Sequence, residues 1–227
     1  MSRKKQSRGV CVYCGQEMAK GGMIKHLSTC TRRRAIIEQA DHKPGKTETI
    51  YHLRVQDAGS SDFWLDLEMC GRAKLKDLDY YLRGIWLECC GHLSQFSIGG
   101  WGGEEIAMKR QIQEVFEPGV ELTHIYDFGT SSETLIKAVG VREGKPNSSH
   151  PIALMARNIP PEERCMECER PGAWLCIECL IEEDVWGTLC DTHVKAHPHE
   201  DYGEPLPLVN SPRLGMCGYS GPAEPPY

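Results

Sequence analysis

No stretch of roughly 18 apolar residues, the minimum for a membrane-spanning helix, occurs in the 227 residues of this chain. The opening Met-Ser-Arg-Lys-Lys also lacks the apolar segment of an export signal. Both absences point to a cytoplasmic chain with no membrane partner, whose thiols stay reduced and are not read as a disulfide framework. Basic residues are scarce at the rear: residues 160–227 hold four Lys/Arg against thirteen Asp/Glu, which disfavours nucleic-acid contact there. Phosphate-loop chemistry is missing as well. Gly99-Gly100-Trp101-Gly102-Gly103 has no Lys-Ser/Thr behind it and reads as a strand-to-helix turn. Tyr126-Asp127-Phe128-Gly129 has no His-Arg-Asp catalytic loop to accompany it and reads as a strand end and turn. Nor does any Ser-His-Asp or paired-carboxylate pattern have a recognisable local context.

Cysteine, by contrast, is plentiful, with twelve in the chain and eight of them in metal-ligand spacing. Thiolate sulfur and neutral imidazole nitrogen are the donors tetrahedral zinc prefers, and a two-residue gap lets a tight turn aim two side chains at one ion. At the front, Cys11-x2-Cys14, eleven residues, then His26-x3-Cys30 is the spacing of a Cys-Cys-His-Cys finger. Its His and last Cys are expected one turn apart on one helix face. Met18, Met23 and Leu27 are expected beneath the ion, as a core too small to fold without metal. At the rear, Cys165-x2-Cys168, Cys176-x2-Cys179 and Cys190-x2-His193 form three ligand pairs, and His197-x-His199 can be the fourth. Cys217 is an alternative to one of those histidines. Twelve ligands in three sets of four imply three zinc ions. Cys70, Cys89 and Cys90 read instead as small apolar packing groups.

Charge is graded along the chain. Residues 1–46 carry eleven Lys/Arg and three Asp/Glu, whereas residues 47–159 are net −5. If His26 holds the seventh place of the finger helix, the base-reading places fall on Ala19, Gly22 and Lys25, two of which offer no side-chain hydrogen bond. Sequence-specific reading is therefore not expected. Arg32, Arg33 and Arg34, with Arg3, Lys4, Lys5 and Lys25, are placed to grip phosphates without reading sequence. A solvated basic helix end is the equally open alternative.

Between these ends the spacing predicts strands over residues 49–55 and 63–69, a helix from Leu75 through Trp86 to Gly91, and a strand over 93–98. A helix over 104–116 stopped by Pro118-Gly119, strands over 121–128 and 134–141, and a closing strand over 152–155 follow. This ββαβαβββ order is an α+β fold, a mostly antiparallel central sheet with two helices, flanked by small zinc modules at both ends. The expected division is 1–46 basic finger and linker, 47–158 central domain, 159–203 double zinc module and 204–227 extended Pro-rich tail.

Two resemblances add to this. The run Phe63-Trp64-Leu65-Asp66-Leu67, then Leu75-Lys76-Asp77-Leu78, His92-Leu93-Ser94-Gln95-Phe96-Ser97-Ile98-Gly99 and Tyr126-Asp127-Phe128-Gly129 resembles the family named for the third open reading frame of a root-inducing plasmid, whose members include mobile-element passenger proteins. The resemblance covers residues 47–158 and implies an α+β fold without a settled biochemical role. The family's second strand usually carries Ile-Trp-Arg-Arg where this chain has Phe63-Trp64-Leu65-Asp66. The rear ligand order resembles a B-box or related cross-braced finger. That resemblance implies that Cys165, Cys168, Cys190 and His193 hold one zinc while Cys176, Cys179, His197 and His199 hold the other, and that the module presents a protein-binding face. Closed Cys-rich shells favour a non-enzymatic interaction protein over the alternative, a metal-dependent hydrolase or nucleic-acid-processing enzyme, whose zinc keeps a position open.

Overall fold

The computed structural model describes residues 6–117, 119–199 and 201–226. Arg3, Lys4, Lys5 and Pro118, singled out from sequence, lie outside the described residues. The chain folds as two compact units, one made by the chain up to Arg83 together with His92–Ile159, the other by Gly84–Gly91 together with Pro160–Pro226.

The first unit is built on a nine-stranded sheet in which every neighbouring pair is antiparallel. In chain order its strands are β1 (Arg8–Cys11), β2 (Glu17–Ala19), β3 (Glu48–Asp57), β4 (Trp64–Cys70), β5 (Ser94–Ile98), β6 (Glu104–Ile106), β7 (Glu121–Tyr126), β8 (Ser132–Gly144) and β9 (Ile152–Asn158). They lie side by side as β2-β1-β9-β4-β3-β8-β7-β5-β6. Helices α1 (Lys20–Thr29), α2 (Thr31–Asp41), α3 (Leu75–Leu82) and the single turn α4 (Ile112–Val115) complete an α+β fold with a mainly sheet core. The predicted strands over 49–55, 63–69, 93–98, 121–128, 134–141 and 152–155 all form, most of them a few residues longer or shorter. Among the described residues no helix is long and apolar enough to cross a membrane.

The front segment is part of this sheet. β1 pairs with β9 through Gly9↔Asn158 and Cys11↔Ala156, so residues read from sequence as a module of their own extend the central sheet. Gly9 is required there, because a Cβ would sit 2.3 Å from the Arg157 carbonyl oxygen and 2.4 Å from the Trp64 ring.

Residues 104–116 were expected to be one helix. Glu104–Ile106 instead folds back on β5 as a hairpin strand, through a turn in which Gly99, Gly100 and Gly102 take positive φ. The carbonyls of Met108 and Arg110 then accept from the N–H groups of Lys76 and Leu75. A tertiary demand for backbone partners overrides the helical spacing, and only α4 remains. The predicted helix from Leu75 likewise stops at Leu82 and passes into a π-helical turn over Arg83–Leu87.

β4 shows how sequence and packing connect. All seven of its residues, Trp-Leu-Asp-Leu-Glu-Met-Cys, are buried, although two are carboxylates. Leu65, Leu67 and Met69 face Val55, Leu53 and Tyr51 across the β3 pairing, while Trp64, Asp66, Glu68 and Cys70 share the other face with Gln56, Arg54, His52 and Ile50. Buried charge must be paired, and here it is. Arg54 grips Asp66 through Nε and Nη2, both at 2.9 Å, and His52 Nε2 lies 2.8 Å from the same carboxylate. Glu68 accepts from Arg142 Nε at 2.8 Å and from Arg33 Nη2 at 2.9 Å. Burial works against the Glu68 carboxylate, but the Arg142 and Arg33 guanidiniums outweigh it and hold its pKa below the ordinary glutamate range.

Glu68→Ala is expected to cost about 3 kcal/mol or more in urea unfolding, because two largely buried guanidiniums would lose their counter-charge. Since the folded-state pKa is depressed, this stability is present above the unfolded Glu pKa and is lost as pH falls through the folded value. The wild-type protein should therefore lose more stability on acidification than Glu68→Ala does.

Candidate metal centres

The front centre is assembled where the sheet edge meets two helices. Cys11 ends β1 and is buried, and the next residues turn back sharply: the Gly15 N–H donates to the Cys11 carbonyl at 2.8 Å and the Cys11 N–H to Gln16 at 3.0 Å. This turn brings Cys14 round to face α1, where its Sγ lies 3.4 Å from His26 Nε2. Helix α1 starts at Lys20, which makes His26 its seventh residue. Cys30 was expected on the same helical face as His26. It lies one residue past α1, at the extended break (φ −61°, ψ 115°) from which α2 departs, and so positions both helices. The donor atoms of Cys11, Cys14, His26 and Cys30 all lie within 4.8 Å of one another. A tetrahedral zinc would set neighbouring donors about 3.5 to 3.8 Å apart, so the cluster fits one ion with modest contraction.

Met23 and Leu27 pack beneath this centre as expected, with Met18 against them. Their core is larger than the spacing implied, because Trp64, Met155 and Ala156 of the central sheet belong to it. Burial pushes the Cys11 thiol up to about 11. For Cys30 burial also opposes ionisation, but the backbone N–H of Arg33 and neighbouring donors outweigh it and lower its pKa. A bound cation would hold both as thiolates.

The second unit carries a three-stranded sheet of β10 (Trp174–Cys176), β11 (Gly187–Leu189) and β12 (Leu206–Pro207), ordered β11-β10-β12, with α5 (Ile177–Glu182) following β10. Ala173-Trp174-Leu175-Cys176 and Gly187-Thr188-Leu189-Cys190 share a small-x-Leu-Cys pattern and supply the antiparallel β10/β11 pair, each strand running directly into a ligand turn. Two donor sets result, divided between alternate pairs. Cys165, Cys168, Cys190 and His193 form one, with Cys165 Sγ 3.2 Å from His193 Nδ1 and Cys168 Sγ 4.0 Å from Cys190 Sγ. Cys176, Cys179, His197 and His199 form the other. There Cys179 Sγ is 3.3 Å from His197 Nε2 and 3.2 Å from His199 Nδ1. The Cys179 N–H points at Cys176 Sγ at 3.5 Å. β11 passes so close that a Cβ on Gly187 would meet Cys179 Cβ at 2.5 Å. The backbone N–H of His193 draws Cys190 down to about 6, whereas burial and the Cys176 thiol push Cys179 up to about 12.

One residue of this centre has no ligand spacing in the sequence to mark it. Glu183 Oε1 lies 3.4 Å from His199 Nε2, on the side of the ring away from the sulfurs. A carboxylate there fixes the proton on Nε2 and leaves Nδ1 as a donor atom toward the metal position. Cys217, the alternative ligand, is not in this set. Cys70 is buried, in line with a packing role, but Cys90 is exposed and Cys89 half-buried.

Of the cations singled out for phosphate contact, Lys25, Arg32 and Arg34 are exposed. Arg33 turns inward to Glu68 and to the Leu27 carbonyl, so it does not join them.

Folding also gathers a Ser, a His and an Asp that have no local pattern. Asp79 Oδ1 accepts from Ser94 Oγ at 2.6 Å and lies 2.8 Å from His124 Nε2, and Arg83 Nε donates to the same carboxylate. The serine is bonded to the carboxylate rather than to the imidazole, so the relay of a nucleophilic triad is not formed. Burial lowers the His124 pKa and keeps the ring neutral. The cluster is a paired polar knot.

No family model matches this chain, and no curated protein matches it. Among solved structures, a protein of unknown function from Methanosarcina mazei Go1 aligns at 18% identity over 48% of this chain and 69% of its own, with a TM-score of 0.42.

Cys14→Ser is expected to remove one equivalent of bound metal and to raise hydrogen exchange across residues 8–41 while β3 and β8 stay protected. Glu183→Gln should weaken the second rear centre about tenfold in competition with a metallochromic chelator, leaving the other two centres unchanged.

Proposed function

We propose that this chain is a non-enzymatic zinc-binding interaction protein of the cytoplasm, holding three structural zinc ions. The observation that carries the reading is the gathering of twelve Cys and His donors into three sets of four, each within 4.8 Å. The donor chemistry supports zinc: sulfur and imidazole saturate a four-coordinate shell, which suits a structural ion better than the open position a hydrolase needs. Elemental analysis of protein purified under reducing conditions should return about three zinc ions per chain. A content near one, or disulfides among the ligand cysteines, would overturn the proposal.

The rear unit is the proposed protein-binding face. Ile181, Val185 and Trp186 are exposed on and just after α5, among Glu178, Glu182, Glu183 and Asp184. An apolar patch with an acidic rim suits a partner surface that is apolar at its centre and basic at its edge. The likeness of the central strands to the plasmid open-reading-frame family extends the proposal to a mobile-element association.

At the front, Lys25, Arg32 and Arg34 are the proposed contact with DNA or RNA. Two base-reading places, Ala19 and Gly22, carry no polar side chain, which supports contact with phosphates alone. Binding is expected near 10⁻⁴ to 10⁻⁶ M at physiological salt, falling steeply as salt rises. Replacing Arg32 and Arg34 together with Ala should weaken every sequence alike and reduce the salt slope by about 2. Binding that ignores salt, or none at low salt with zinc-loaded protein, would assign the cations to solvation instead.

A further inference from the structure

Three cysteines belong to neither of the two four-donor sets of the second unit. Cys89 and Cys90 follow the π-helical turn, and Cys217 sits in a short turn near the end of the chain. What brings them together is Arg213, whose side chain is fully buried. Its Nε donates to Cys89 Sγ at 3.4 Å and its Nη2 to Cys217 Sγ at 3.6 Å. Nε and Nη2 form one edge of the guanidinium, the fork that ordinarily takes the two oxygens of a carboxylate. Here two sulfurs occupy that fork side by side.

The arrangement is built rather than incidental. Ser211, buried, donates through Oγ to the Trp86 carbonyl at 2.6 Å and accepts the Arg213 backbone N–H at 2.9 Å. One hydroxyl thus pins the segment that carries Arg213 to the segment that carries Cys89. Cys217 takes a left-handed conformation, φ 51°, between Gly215 and Gly218, which also have positive φ. A non-glycine residue rarely adopts that conformation without support from its surroundings. It holds the Cys217 side chain exposed to solvent while its sulfur still reaches the buried guanidinium.

A fixed positive charge touching both sulfurs disfavours a metal cation at them and favours thiolate. We propose that Cys217 is a peroxide-reactive thiol and that Cys89 is its resolving partner. The Cys217 thiolate attacks one oxygen of hydrogen peroxide and the O–O bond breaks, leaving Cys217 as sulfenic acid and releasing hydroxide, which takes up a proton as water. The Cys89 thiolate then attacks the Cys217 sulfur, the S–O bond breaks, and a second hydroxide leaves to become water as the disulfide forms. Two thiols lose two electrons and two protons, and one hydrogen peroxide becomes two waters. Cys90 stays protonated beside them. Its pKa is raised, first by its hydrogen bond with Cys89 and then by burial and the charges of Cys89 and Cys217, and the Arg213 fork is taken by the other two sulfurs.

The test uses full-length, zinc-loaded protein treated with hydrogen peroxide at pH 7, quenched by differential alkylation and read by peptide mass spectrometry, with zinc release followed in parallel. A Cys89–Cys217 disulfide should form before zinc is released. Cys89→Ser should leave a dimedone-trappable sulfenic acid on Cys217, and Cys217→Ser should abolish both products while the protein keeps its zinc. Arg213→Lys keeps the charge but loses the fork. It should slow Cys217 oxidation about tenfold, the effect of one pKa unit on the thiolate population. A folded Arg213→Lys protein that oxidises at the wild-type rate overturns the proposal. So does a Cys217 that reacts no faster in the native protein than in a synthetic peptide of residues 211–221, or a first disulfide formed among the zinc-ligand cysteines. The peptide comparison decides even if Arg213→Lys fails to fold.

Discussion

Thiol sulfurs crowded within 4.8 Å of one another cannot all ionise unless a cation sits among them, and the fold is arranged around that constraint. At the front the crowding occurs where β1, α1 and α2 meet, over a small apolar set of Met18, Met23 and Leu27 that is completed only by Trp64, Met155 and Ala156. The donor set is therefore what holds two helices against the sheet edge, and the packing of Met23 and Leu27 on Trp64 is its consequence. Metal binding and folding are coupled in such a place, since burial alone disfavours the Cys11 thiolate that a cation would stabilise. The rear unit repeats the logic twice over. There the donor atoms come from strand ends and short turns, and a sheet of three short strands gives little core beyond Leu175 and Leu189.

Charge burial on β4 follows from the same attachment. A strand whose face carries Asp66 and Glu68 would be an edge or a solvated face in an ordinary antiparallel sheet. The front helices cover it, so its carboxylates need cations from elsewhere in the fold. Arg54 comes from the adjacent strand and Arg142 from the one beyond it, but Arg33 comes from α2. The middle arginine of a basic run is thereby spent on the interior, leaving Arg32 and Arg34 on the outside. Sequence alone counts three equivalent charges, whereas the helix repeat and a buried glutamate divide them.

Much of the architecture is legible in residue pattern, and the failures have definite causes. The alternation in residues 49–55 and 63–69 is a direct image of the β3/β4 pair, because one face of that sheet is wholly apolar. The ligand pairs are legible because a metal site constrains spacing locally. Even the division of eight rear ligands between alternate pairs follows the order that the B-box resemblance implies. Local spacing misleads where long-range backbone pairing decides: residues 104–116 have helical periodicity, yet hairpin closure at Gly99–Gly103 and the carbonyl partners of Lys76 and Leu75 prevail. The Pro-rich tail looks extended by composition, but Leu206–Pro207 adds a strand to the rear sheet and Ser211, Arg213, Tyr219 and Ala223 are buried. Glu183 and Arg213 are invisible for a further reason. Their significance lies in which sulfur or imidazole they face, and no one-dimensional spacing encodes that.

What distinguishes the cysteines from one another is the nearest positive charge. A divalent ion coordinated by four donors saturates each thiolate and removes its nucleophilic lone pairs from solution, which makes the sulfur inert as well as structural. A guanidinium does something different. It stabilises the thiolate by hydrogen bonding without enclosing the sulfur in a coordination shell. Arg213 can do this for Cys89 and Cys217 only because it is held away from water, where a charge-assisted bond is strongest, and because the polypeptide presents Cys217 outward in a left-handed turn. The same element in one small unit is thus directed to two kinds of chemistry by whether its counter-charge encloses the sulfur or touches it on a single face.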